Sequence, residues 1–108
     1  MGEEQKTLAV QQRLLEIEEQ AVQALKNTFA NLQLIDFDAI HYNQYSGSYR
    51  IFLTIGNSQA QQVTFSIGYL QGDDHIADYG GGNEQVQIRG KTTSQVMVKY
   101  SNGREANV

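Results

Sequence analysis

"SYRIFLTIGN", Ser48–Asn57, and "QVTFSIGY", Gln62–Tyr69, decide the fold. An apolar side chain falls on every second residue: Tyr49, Ile51, Leu53 and Ile55, then Val63, Phe65, Ile67 and Tyr69. Successive side chains of a strand point to opposite sides, so this period of two places each set on one face. The intervening "GNSQAQ", residues 56–61, is polar turn chemistry. The two runs therefore read as a β-hairpin with one face turned to a core.

Upstream, "LIDFDAIHY" alternates in part, with Ile35 and Phe37 against Asp36 and Asp38, and "NQYSG", residues 43–47, reads as a turn. Downstream, "EQVQIRG" offers Val86 and Ile88 as strand residues, and "TSQVMVKY" offers Val96, Val98 and Tyr100. "SNGREANV", residues 101–108, reads as a frayed polar tail. Ahead of all this, Glu3–Leu32 is rich in Glu, Gln, Leu, Ala and Lys and has no internal Gly or Pro, which predicts one long helix. Leu14, Ile17, Ala21, Leu25, Thr28 and Leu32 mark its apolar stripe, widened by Leu15, Val22 and Phe29. With no helix between strands, a doubly wound parallel sheet is disfavoured. The expectation is a single α+β domain over residues 1–108. An N-terminal helix (3–32) packs on a four- or five-stranded antiparallel meander (34–100), followed by the tail.

Such a helix is about 45 Å long, whereas five strands span about 24 Å. The helix should overhang the sheet through Leu8, Val10, Leu14, Leu15 and Ile17, and exposed side chains of that kind ask for a partner. Leu8, Leu15, Val22 and Phe29 stand seven apart, but Gln11 and Glu18 interrupt a coiled-coil seam. Self-association or tethering through the helix stands against a frayed or bent first segment.

"DDHIADYGGGN", residues 73–83, is the least ordinary stretch. The EF-hand spacing fails from either Asp73 or Asp74, and no Lys-Ser/Thr pair follows the glycines as a phosphate loop requires. The glycines mean backbone freedom or a close approach. The loop is read first as a connector and second as a recognition loop, with Tyr69, Ile76 and Tyr79 as its adhesive residues. Tyr42, Tyr45 and Tyr49 crowd one turn, and amphipathic rings at a loop suit protein recognition.

Composition narrows the function classes. The chain has no Cys, hence no disulfide, thiolate nucleophile or Cys-ligated zinc. Residues 34–84 carry six acids against Arg50 alone, which argues against nucleic-acid binding. No window is long and apolar enough to span a membrane. Of the two histidines, His41 follows Asp36 and Asp38. Those three form the one acid/base set the sequence offers, and the simpler reading is a solvated edge strand. No cofactor or metal signature is present.

One helix followed by "IDFDAIHYNQYSGSYRIFLTIGN", "VTFSIGYLQGD" and "YGGGN" resembles the cystatin-like arrangement and small uncharacterised proteins of Gram-positive bacteria. The resemblance covers about Leu34–Asn83 and implies a domain held outside the membrane, with no known activity. Protease inhibition does not carry over. The Gln-x-Val-x-Gly hairpin of inhibitory cystatins has "QQVTF" as its nearest match, with Phe65 in place of the glycine, and there is no Trp. The expected function is a non-catalytic interaction domain, possible partner-binding residues being Leu8, Leu15, Tyr42, Tyr45, Ile76 and Tyr79. The alternatives are a small ligand-binding or hydrolytic domain using Asp36, Asp38 and His41, and an acidic mimic of nucleic acid. If Met1 is a cut, an upstream anchor would make the domain extracytoplasmic; otherwise it is cytoplasmic.

Overall fold

The computed structural model describes the chain fully from Gln12 to Val108. The elements are α1 (Gly2–Thr28), β1 (Leu32–Asn43), β2 (Ser48–Asn57), β3 (Gln62–Tyr69), β4 (Asp78–Tyr79), β5 (Met97–Lys99) and β6 (Glu105–Asn107). One helix lies on one face of a single six-stranded sheet ordered β4-β3-β2-β1-β5-β6. The α+β architecture is as the pattern predicts, and every apolar residue of the β2 and β3 alternation is buried. The sheet itself is not a pure meander. β1, β2, β3 and β4 pair antiparallel in succession, but β5 lies parallel to β1 over Leu34–Asp36 and Met97–Lys99.

Three boundaries differ from the expectation, each for a physical reason. The helix stops at Thr28, not Leu32. Asn31 adopts a left-handed φ of 61° and turns the chain, so Leu32 is buried as the first residue of β1 and not as the last of the helix. Val86 and Ile88 belong to no strand. Residues 84–87 form a turn, and Arg89 makes only an isolated bridge to Phe29. The expected frayed tail is ordered: β6 pairs with β5, and the Val108 N–H and C=O both bond to Val96, at 2.9 and 2.8 Å.

The stretch around Ile88, a strand by its sequence pattern, does a different job. A helix leaves its last carbonyls without intrahelical donors. Residues 88–92 run past the C-terminal end of α1 and supply them. Gly90 N–H donates to Thr28 O at 2.9 Å, and Thr92 N–H donates to Lys26 O at 2.7 Å. In return Ala30 N–H donates to Ile88 O at 2.8 Å. The Thr92 hydroxyl donates to Phe29 O at 2.7 Å and accepts from Leu32 N–H at 3.1 Å, holding the turn between α1 and β1. Gly90 is required here because a Cβ would lie 2.9 Å from that of Ala30.

Within β1 the alternation is only partial because the strand is bulged. Phe37 pairs with Leu53 and Ala39 with Phe52, which leaves Asp38 as the extra residue. A bulge of this kind re-aims the side chains beyond it. Here it turns Ile40 and Tyr42 to the helix side, opposite Ile51 and Tyr49.

The expected overhang is shorter than the length argument implied. Ile17 is core, and Leu14 and Leu15 are half-buried against it. Leu8 and Val10 lie outside the described residues. Glu18, read from the sequence as a break in an apolar seam, is 2% exposed. Its carboxylate accepts from Ser101 N–H at 2.8 Å and from Ser101 Oγ–H at 2.6 Å, which ties α1 to the turn between β5 and β6. Hydrogen bonds to a charged group contribute about 1.5–3 kcal/mol each. Glu18→Ala should therefore lower the unfolding free energy by about 2–3 kcal/mol in chemical denaturation, and Ser101→Ala by less. Unchanged stability for Glu18→Ala would mean that the clamp does not form.

A tyrosine-bearing hairpin tip as the candidate functional site

β1 runs past its outer neighbour β5, while β2 stays paired with β3 as far as Tyr49. β5 pairs with β1 only as far as Asp36, so the residues after the Asp38 bulge have β2 as their one partner strand among the described residues. The tip is built by local chemistry. The Asn43 side chain accepts from Tyr45 N–H at 2.9 Å and Ser46 N–H at 3.3 Å. Gly47 supplies the left-handed residue, φ 72°, that closes the turn with its N–H on Asn43 O at 2.8 Å. A side chain other than glycine would be strained in that conformation.

This construction leaves rings in solvent. Tyr45 is 93% exposed and Tyr42 is 56% exposed. The Tyr42 ring tilts against that of buried Tyr49, centroids 4.9 Å apart, so one of its faces is fixed and the other is open. His41, Asn43, Gln44 and Arg50 join the two rings around an open hollow of about 490 Å³. Arg50 reaches across the sheet to Asp78, 3.4 Å between Nη2 and Oδ2. Gly68 makes room for that carboxylate, since a Cβ there would lie 2.5 Å from Asp78 Oδ2.

The loop at residues 73–83 is stapled rather than free. Asn27 Nδ2 donates to Asp74 O at 3.0 Å, Gly72 N–H donates to Gln20 Oε1 at 3.2 Å, and Tyr69 Oη donates to Asp73 O at 2.8 Å. Buried Thr28 bonds in both directions, donating to Ala24 O at 2.7 Å and accepting from Ile76 N–H at 2.8 Å. Ile76 is 2% exposed and Tyr69 is buried, so both serve the core, which corrects their reading as adhesive surface residues. Tyr79 is half-buried and packs edge-on against Phe29 and Phe65, at 5.0 and 6.3 Å. Of the three consecutive glycines none has positive φ. Gly82 is the close approach, where a Cβ would meet Val63 Cγ2 at 2.7 Å.

Asp36, Asp38 and His41 do not converge. Asp36 faces Thr54, Asp38 sits at the bulge and His41 faces Arg50. Asp36 and His41 are about 15 Å apart along the strand, too far for proton exchange between them. Leu15, with Leu14, Glu18, Ser101 and Asn102, lines a separate hollow of about 450 Å³. Among the described residues no three His, Asp or Glu side chains gather as a metal site. The remaining acids of the middle segment lie on the β3–β4 connection, on β4 and in the turn at Glu84.

Comparison of the chain with family models, with curated proteins and with solved structures finds no match.

His75 Nδ1 lies 2.8 Å from Asp74 Oδ1 on the loop surface. That hydrogen bond, with the imidazolium charge second, holds the Asp74 carboxyl below the usual range. A carboxyl lowered in the folded state stabilises the fold above its unfolded pKa and loses that contribution on acidification. Both side chains are exposed, so solvent screens the pair and its effect on stability is small. In an NMR titration, His75→Ala should return Asp74 to the ordinary carboxylate range while the melting temperature stays put. A value for Asp74 unchanged by the substitution would contradict the pairing.

Proposed function

We propose that the chain is a non-catalytic protein-interaction domain whose contact surface is the tip of the β1–β2 hairpin. The carrying observation is the exposure of Tyr45 and Tyr42 at a hairpin tip where β1 has run past β5. Tyrosine and arginine are enriched where proteins recognise one another, because each offers a large contact area together with hydrogen-bonding groups. A ring backed by the buried Tyr49 loses little freedom on binding, which favours Tyr42 as an anchor. The scatter of Asp36, Asp38 and His41 along β1 weighs against the hydrolytic reading. A second reading, self-association through α1, is favoured by half-buried Leu14 and Leu15 at the rim of their hollow.

A photo-crosslinking residue at position 45 should form discrete adducts with a partner, and the same residue at position 105 on β6 should not. Tyr42→Ser with Tyr45→Ser should abolish partner capture with a melting temperature within about 2 °C of the parent, because neither ring fills the core. Capture that survives the double substitution would place the contact elsewhere.

A further inference from the structure

We infer that the free edge of β1, residues 39–43, pairs antiparallel with the same edge of a second copy of this chain. In an antiparallel ladder every second residue turns its N–H and C=O away from its partner strand. On the far side of β1 those groups meet β5 only at Leu34–Asp36. Beyond the bulge, no backbone bond other than the pairing with β2 reaches residues 39–42 among the described residues.

Edge strands are ordinarily protected by Lys, Pro, an inward charge or extreme shortness. The opposite edge of the sheet, β4, has only two residues, and β6 has three with Glu105 among them. Residues 39–43, Ala-Ile-His-Tyr-Asn, have none of these devices. The bulge that would blunt the edge sits before the segment, not within it.

The occupant follows from the side chains. A two-fold axis through His41 pairs Ile40 with the second copy's Tyr42, and Tyr42 with its Ile40, on the helix side of the sheet. These are aromatic–β-branched pairs, which favour strand association. On the other face Ala39 meets Asn43, and Asp38 falls opposite Gln44, so no two carboxylates are opposed despite the acidic middle of the chain. The interface is isologous and closes at two copies. The dimer rests on the reading of this hairpin as an interaction surface, but it uses the strand's backbone rather than the Tyr45 ring. A pairing of five residues is small, so the dimer is weak and concentration-dependent.

The absence of cysteine makes the register directly testable. Opposed Cβ atoms of an antiparallel pair lie about 4.5–5.5 Å apart, close enough for a disulfide after slight adjustment. Under mild oxidation at pH 8, His41→Cys should yield a linked dimer roughly tenfold faster than Glu105→Cys on the other edge. The wild-type chain's mass from light scattering should rise with concentration towards twice the monomer's. Adding Tyr45→Ser to His41→Cys should leave the linkage intact. Equal rates at positions 41 and 105, a wild-type mass fixed at the monomer's, or loss of the linkage with Tyr45→Ser would each overturn the edge pairing. A monomer that still captures a partner through Tyr42 and Tyr45 would sink the dimer and spare the hairpin tip.

Discussion

The Thr92 hydroxyl is the smallest group on which the most structure depends. It donates to Phe29 O and accepts from Leu32 N–H, so one buried oxygen satisfies both sides of the turn where helix becomes sheet. Around it, the backbone of residues 88–92 closes the carbonyls of Lys26 and Thr28. Buried polar groups left without partners are costly, so this turn could not sit against the core unless another segment completed it. The segment that completes it carries the chain from β4 at one edge of the sheet to β5 beside β1. The parallel pairing of β5 with β1 follows from that route.

The far end of the molecule is free to differ because the near end is closed in this way. α1, β5, β6 and residues 88–92 gather around the first half of β1, with Glu18 locking the helix to the β5–β6 turn. The Phe37 and Tyr100 rings stack 6.0 Å apart where β5 leaves β1. Past that point the hairpin stands with solvent on more of its surface, and the exposed tyrosines lie there. The arrangement separates a well-satisfied end of the sheet from the end where β1 has an open edge, and the sheet positions the tip.

Legibility in the sequence followed how directly a pattern reports its own surroundings. The β2–β3 hairpin was legible because its alternation admits one burial face, and all eight alternating apolar residues are buried, with Phe52 alone on the exposed face. The helix was legible as an element but not at its end. Leu32 continues the stripe and is buried in either conformation, so the pattern cannot distinguish the two; the left-handed Asn31 decides. The Asp38 bulge showed only as alternation that was partial. Val86 is buried and Ile88 is largely exposed, yet both look like strand residues, because a short apolar run does not record what its backbone bonds to.

Polar residues with buried roles were the least legible. Glu18, Thr28 and Thr92 are buried polar side chains, and although Thr28 falls on the helix's apolar stripe, residue type alone does not show what any of the three bonds to. Each has a partner 48 to 83 residues away, which no local pattern records. Of the candidate site, the tyrosine cluster at the first turn was readable from residue type and turn chemistry together. The burial of Ile76 was not, because it depends on the Thr28 hydroxyl holding its N–H.

The most direct test of this account is the hydroxyl at position 92. Thr92→Val keeps the shape and removes the hydrogen bonds to Phe29 O and Leu32 N–H. The unfolding free energy should fall by about 2–4 kcal/mol, with fast hydrogen exchange at the Leu32 amide, while Thr92→Ser should recover most of the loss. A Thr92→Val protein as stable as the parent, with Leu32 still protected, would contradict the dependence of the helix-to-sheet junction on this residue.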